Sequence, residues 1–65
     1  MIVVELESSN GSKYSFFVTE TTNLLINEHG DKTAIRFHGI DLVDDIPYEE
    51  AVKVFTDAFN ALKHQ

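Results

Sequence analysis

The sequence predicts one α+β domain over residues 1–65: an antiparallel β-meander of three long or four shorter strands, with one C-terminal helix packed on one sheet face. Two observations lead to this fold class. Apolar residues recur at helical spacing near the end of the chain. Before them come alternating, β-branched segments separated by turns that contain glycine. A chain of 65 residues without cysteine must draw its stability from one small core.

The helix is predicted over residues 47–64. Its apolar side chains form one continuous stripe, which consists of Tyr48, Ala51, Val52, Phe55, Ala58, Phe59 and Leu62. We expect Asp45 to cap the helix, with Glu49 and Glu50 near the positive end of the helix dipole. Glu49 and Lys53 have the spacing of a favourable i, i+4 ion pair.

The first hairpin begins with a strand over residues 2–7 and turns near Asn10 and Gly11. A two-residue turn would place acidic side chains opposite aromatic ones. A three-residue loop with a left-handed Gly11 gathers the large apolar residues on one face instead. We therefore expect the register that pairs Leu6 with Tyr14, Val4 with Phe16 and Ile2 with Val18.

Residues 13–27 contain neither Gly nor Pro, and the apolar side chains at 14, 16, 18, 24 and 26 share one parity. Threonine is well tolerated in strands, so its presence in this segment does not argue against strand geometry. We expect one long, bent strand here. The alternative is two strands with a corner near residues 21–23.

A second hairpin loop is predicted at residues 27–32. In the expected register, Asn27 lies opposite Lys32, so Ile26 meets Thr33, Leu24 meets Ile35 and Thr22 meets Phe37. The dipeptide His38-Gly39 is interpreted as a β-bulge, because glycine within a strand pattern often marks one. Such a bulge would turn Ile40 and Leu42 inward.

The predicted core combines one face of the strands with the helix stripe. Its strand members are Ile2, Val4, Leu6, Tyr14, Phe16, Val18, Leu24, Ile26, Ile35 and Phe37, and its helix members are Val52, Phe55, Phe59 and Leu62.

The composition excludes several classes of function. Eleven acidic against five basic residues give a net charge of −6, which argues against direct binding to nucleic acid and against docking on anionic membranes. The apolar runs are too short to span a membrane, and no signal peptide is visible. A cytoplasmic location is expected.

No pattern of catalytic or ligand-binding residues is present. Each glycine stands alone, so there is no phosphate-binding loop, and the serines lie in or beside a hairpin turn without a partnering base. His29, His38 and His64 lack the spacing of metal ligands. We therefore expect no enzymatic activity, no cofactor and no metal.

Two groups of residues remain as candidate interaction sites. The first lies on the sheet face opposite the helix, where apolar side chains occupy positions that should meet water; it comprises Val3, Phe17, Leu25 and Arg36. This face would bind another protein or a second copy of the chain as a homodimer.

The second group is acidic and consists of Asp41, Asp44, Asp45, Glu49 and Glu50. Such carboxylates could imitate the charge spacing of a nucleic-acid backbone and fill a basic groove on an enzyme. In size, charge and mixed composition the chain resembles the small acidic inhibitors that phages make against restriction, repair or CRISPR enzymes. No family motif supports this likeness, so it implies no site residue.

The function expected from the sequence is therefore a small non-enzymatic protein-binding or regulatory module that acts through its sheet face. The alternative is an acidic inhibitor of a nucleic-acid-binding enzyme.

Overall fold

A computed structural model describes residues 1–64, and it confirms the α+β class with antiparallel strands and a C-terminal helix. The strands are β1 (Ile2–Glu7), β2 (Lys13–Val18), β3 (Leu24–His29), β4 (Lys32–Phe37) and β5 (Ile40–Asp44), and the helix is α1 (Tyr48–Lys63). The five strands exceed the three or four expected.

The strands form two separate antiparallel sheets. The hairpin sheet contains β1 and β2, and the meander sheet contains β3, β4 and β5 in that order. Helix α1 packs on both, with its more extensive strand contacts to β1 and β3. We call the side of each sheet that faces away from α1 its outer face.

The first hairpin has the predicted register, with Leu6 opposite Tyr14 and Val4 opposite Phe16. The Ser8 and Ser12 backbones are joined by a 2.8 Å hydrogen bond, and the loop between them closes through a left-handed Gly11 at φ 91°. Most side chains would be strained at this φ, which explains why glycine occupies the position. The Asn-Gly dipeptide therefore located the turn correctly.

The long strand predicted over 13–27 is wrong, and the alternative of two strands holds. Between β2 and β3 the chain turns: the Thr22 amide donates to the Thr19 carbonyl at 3.2 Å, and the Thr19 amide donates to the Thr22 hydroxyl at 2.7 Å. Threonine side chains that bond nearby backbone groups compete with strand pairing. Those bonds end β2 at Val18.

The register expected for the second hairpin is also wrong, by two residues. Leu24 lies opposite Phe37, and Ile26 lies opposite Ile35. The loop consists of Gly30 and Asp31 alone, with Gly30 at φ 66°. A shift by two keeps the same side chains inward, so turn chemistry decides this register.

His38 and Gly39 form a tight turn, and the predicted bulge is wrong. Both residues have positive φ, 53° and 80°, as a two-residue hairpin turn with both central residues left-handed requires. The turn creates β5, whose Ile40 pairs with Phe37. Ile40 is 73% exposed, contrary to expectation, whereas Leu42 is half-buried against the core.

Helix α1 begins one residue later than predicted, and its cap differs. Pro47 occupies the N-cap without a side-chain hydrogen bond, so Asp45 is not the cap. The Asp45 carbonyl instead accepts a 2.9 Å bond from the Ser9 amide, which ties the first hairpin loop to the helix entry. Lys53 pairs with Asp57 at 3.2 Å, and the expected pair with Glu49 is not formed.

The core lies between the helix and the inner faces of the two sheets. Phe16 stands at its centre, with edge-to-face contacts to Phe37 at 5.4 Å and to Phe55 at 5.2 Å between ring centroids. Two predicted helix members, Val52 and Phe59, are only half-buried. The buried apolar residues are Val4, Leu6, Phe16, Val18, Ile35, Ile46, Ala51, Phe55, Ala58 and Leu62.

Candidate protein-interaction surfaces

The outer face of the hairpin sheet carries an exposed apolar pair. Val3 lies directly opposite Phe17, and these residues are 47% and 56% exposed. Strand alternation turns Val4 and Phe16 into the core, so their neighbours must face outward. Opposite residues on one face of an antiparallel pair lie close enough to interact. The structure therefore joins the two residues into one patch.

The remaining two predicted residues of this surface, Leu25 and Arg36, lie on the outer face of the meander sheet. Leu25 is 53% exposed and is the cross-strand partner of Arg36. The sequence reasoning missed Val43, which is 49% exposed and lines a shallow hollow together with Leu25 and Ala34. Reading His38-Gly39 as a turn would have revealed β5 and, by alternation, the outward position of Val43.

Arg36 is held in place by Asp41. Its Nε and one terminal nitrogen donate to the two Asp41 carboxylate oxygens, at 2.7 and 3.3 Å. The hydrogen bond from Arg36 keeps the pKa of the Asp41 carboxyl below its usual value, and the same bond raises the pKa of Arg36. Both side chains are exposed, so the pair adds little to stability. It does fix the guanidinium over the outer face.

A groove separates the hairpin sheet from the meander sheet. It has a volume of about 380 Å³ and runs along β2 on one side and β5 with β4 on the other. We call it the edge groove, and its lining consists of Lys13, Tyr14, Ser15, Phe16, Phe17, Ile35, Phe37, Ile40 and Leu42. Its walls are mainly apolar, and the exposed Phe17 and Ile40 both belong to it.

One end of the edge groove is bridged by a side-chain contact. The Tyr14 hydroxyl donates to the Asp44 carboxylate, across from β2 to β5. The bond raises the pKa of Tyr14. It lowers the pKa of Asp44, helped by the Asp45 amide, which donates to the other carboxylate oxygen at 2.7 Å.

The predicted acidic group is not one uniform surface. Asp41 is paired with Arg36, and Asp44 is half-buried under Tyr14. Asp45, Glu49 and Glu50 are exposed around the helix entry. Glu50 lines an open hollow with two carboxylates that were outside the prediction, Glu5 and Glu7, and with Lys13.

Within residues 1–64, no group of three or more potential ligands is arranged to hold a metal ion. Across that same range, α1 is too short and too polar to cross a membrane. Neither a family model, nor a curated protein, nor a solved structure matches the chain.

Proposed function

We propose that the protein is a non-enzymatic binding module whose outer sheet face docks onto another protein. The observation that carries this proposal is the cross-strand pair of Val3 and Phe17, both about half exposed on the hairpin sheet. Exposure of an aromatic ring to water is unfavourable, so a phenylalanine at a solvent-facing strand position does not stabilise the free protein. Burying the exposed half of this side chain in an interface would stabilise a complex by about 1–2 kcal/mol.

The surroundings of the pair support the same proposal. Aromatic side chains are enriched at the centres of protein interfaces, where neighbouring polar groups form a rim. Here Glu5 and Ser15 lie next along the two strands on the same face. Leu25, Val43 and the fixed Arg36 extend the outer face on the meander sheet.

We also propose that the protein acts in the cytoplasm. The chain contains no cysteine, so it needs no oxidising compartment in which to form disulfides.

The test is retention of binding partners from source-cell lysate by the immobilised full chain and by Phe17→Ser. We expect the variant to stay folded and to lose partner affinity roughly tenfold or more, as the loss of about 1.4 kcal/mol or more would require. Leu25→Ser is the matched control on the other sheet and should weaken binding less. An unchanged set of partners with Phe17→Ser would overturn the proposal.

A second measurement, sedimentation of the free chain over a range of concentrations, tests for self-association. A homodimer that Phe17→Ser dissociates would mean that the same outer face serves a second copy of the chain. A monomer at all concentrations would assign the face to a different protein.

The second candidate function is the acidic inhibitor of a nucleic-acid-binding enzyme. The convergence of Glu5, Glu7 and Glu50 on one hollow favours it, because clustered carboxylates can fill a basic groove. This function predicts a complex that weakens steeply with salt, since exposed charges are screened. It also predicts weaker binding by a variant that combines Asp45→Asn with Glu50→Gln. Binding that resists high salt would exclude it.

A further inference from the structure

We infer that the free edge of β2 accepts an extended segment of a partner protein, which adds a strand to the hairpin sheet and lays its side chains in the edge groove. This inference rests on the proposed function and names the partner's conformation and chemistry. Among residues 1–64, β2 pairs with β1 alone, so the backbone groups along its other edge are not bonded within a sheet.

The hydrogen-bonding pattern shows which β2 groups are available. The bond from the Ser8 amide to the Ser12 carbonyl marks a hydrogen-bonded pair, and such pairs recur at every second residue of an antiparallel ladder. Tyr14, Phe16 and Val18 therefore direct their amides and carbonyls toward β1. The alternate residues, Lys13, Ser15 and Phe17, direct theirs toward the edge groove.

The hydrogen-bonding pattern of the meander sheet shows which backbone groups of β5 face β2. The His38 amide donates to the Asn23 carbonyl at 3.4 Å, so the even-numbered residues of β4 bond to β3 and the odd-numbered ones to β5. In β5, the backbone groups of Asp41 and Val43 then point away from β4. This edge offers two residues, whereas β2 offers three and lines the groove with five consecutive residues.

An exposed strand edge that ends in a hydrophobic groove is the arrangement used for β-strand addition. In that mode main-chain hydrogen bonds give affinity, and pockets for alternate side chains give specificity. At about 3.4 Å per residue, the three available positions of β2 match a segment of about five residues. Its inward side chains would contact Phe37, Ile40 and Leu42, so they are apolar.

Charge indicates what flanks the apolar residues of the partner segment. Lys13 is the one charged side chain among the described residues that line the groove, and Glu7 lies directly opposite it on β1. Two further carboxylates lie beside the groove: Glu5, opposite Ser15, and Asp44, at the Tyr14 end. With a net charge of −6 on the whole chain, a segment carrying Lys or Arg is favoured. Two copies of the chain would repel each other, so a different protein is the occupant.

The experiment is selection of a random nine-residue peptide library, displayed on phage, against the immobilised full chain. We expect enriched peptides that alternate apolar and polar residues and carry Lys or Arg. Failure to enrich such peptides would overturn the inference. So would enriched peptides that require the Val3 and Phe17 side chains but leave the exchange rates of the Lys13 and Ser15 amides unchanged, a result that would keep the proposed outer face.

Variants of the two edges locate the binding strand. Ser15→Pro removes the central free donor of β2, and we expect peptide affinity to fall at least tenfold. Ser15→Thr keeps the donor and should bind as the unmodified chain does, and Val43→Pro on the facing edge should also bind normally. Loss of binding with Val43→Pro but not with Ser15→Pro would overturn the assignment to β2.

Backbone methylation of the peptide gives a readout that does not depend on the folding of a variant. In the enriched peptide, N-methyl groups at every second residue should abolish binding, and those at the intervening residues should be tolerated. A uniform effect at all positions would contradict strand addition. Hydrogen exchange of the Lys13, Ser15 and Phe17 amides should slow on peptide binding, and unchanged rates would contradict it as well.

Discussion

The Tyr14 hydroxyl donates a hydrogen bond to the Asp44 carboxylate, and this contact connects the hairpin sheet to the meander sheet. Among the described residues, no backbone hydrogen bond joins β2 to β5. The relative placement of the two sheets therefore depends on the shared core, on the backbone bond from the Ser9 amide to the Asp45 carbonyl, and on side-chain contacts such as this one.

Tyr14→Phe should lower stability in a pH-dependent manner. The folded-state pKa of Asp44 lies below its ordinary 3.8, so its contribution is present above about pH 3.8 and is lost as the pH falls through the folded value. The pKa of Tyr14 lies above 10.0, so its contribution is present below pH 10 and is lost as the pH rises through the folded value.

Urea midpoints measured from pH 2 to pH 11 would check this expectation. The difference between the unmodified chain and Tyr14→Phe should be largest between those limits and should shrink toward both. Tyr48→Phe, which removes a hydroxyl from the helix, is the control and should leave the shape of the pH profile unchanged. Identical profiles for the unmodified chain and Tyr14→Phe would contradict the coupling.

Thr33→Val should destabilise the protein by about 1–3 kcal/mol, because it leaves a buried carbonyl without its donor. Thr33 is 1% exposed. Its hydroxyl donates to the Ile46 carbonyl, which ties β4 to the segment before α1. Thr33→Ser keeps the hydroxyl and should cost less. Chemical denaturation of the three proteins measures the order, and equal losses would mean that the hydrogen bond contributes nothing.

Phe55→Ala should cost about 3–5 kcal/mol and unfold much of the population at room temperature. Phe55 is 2% exposed and touches Phe16, so its removal leaves a cavity between the helix and β2. Phe59→Ala, at a half-buried helix position, is the matched control and should cost clearly less. Thermal melts followed by circular dichroism would show the contrast. Similar melting temperatures for both variants would be inconsistent with the packing described.

Gly39→Ala should cost about 1–2 kcal/mol, because a left-handed φ of 80° is unfavourable for a residue with a Cβ. Apart from residues 38–40 themselves, no atom of the described residues lies within 4 Å of the position that the Cβ would take, so the cost comes from the local backbone conformation and not from crowding by other parts of the fold. His38→Asn, at the neighbouring left-handed residue, should raise the melting temperature because asparagine suits this turn better. A Gly39→Ala protein as stable as the unmodified chain would contradict the turn.

The parts of the fold that the sequence predicts correctly are those with one dominant local signal. The Asn10-Gly11 turn and the alternation around it determine the first register, because a slip by one residue would invert the faces. The second hairpin lacks that discrimination: a slip by two keeps Leu24 and Ile26 inward. Its register depends on a two-residue Gly30-Asp31 turn that the hydrophobic pattern does not reveal.

The candidate surfaces divide in the same way. Alternation predicts that Val3 and Phe17 face outward, and the structure places them there as a pair. The edge groove could not be predicted, because it depends on how two sheets approach each other in space. Leu25 and Arg36 were expected on the same surface as Phe17. The break at residues 19–23, which was only the alternative expectation, explains why they lie on another sheet.

The order of elements along the chain has a consequence for synthesis in the cell. Helix α1 supplies Ala51, Phe55, Ala58 and Leu62 to the core, yet the ribosome makes it after all five strands. Until α1 emerges, the inner faces of both sheets remain open to water and to other nascent chains, so the domain cannot complete its fold strand by strand. Stable folding therefore waits for the helix, and truncation before Phe55 should yield a chain that chaperones bind and proteases degrade.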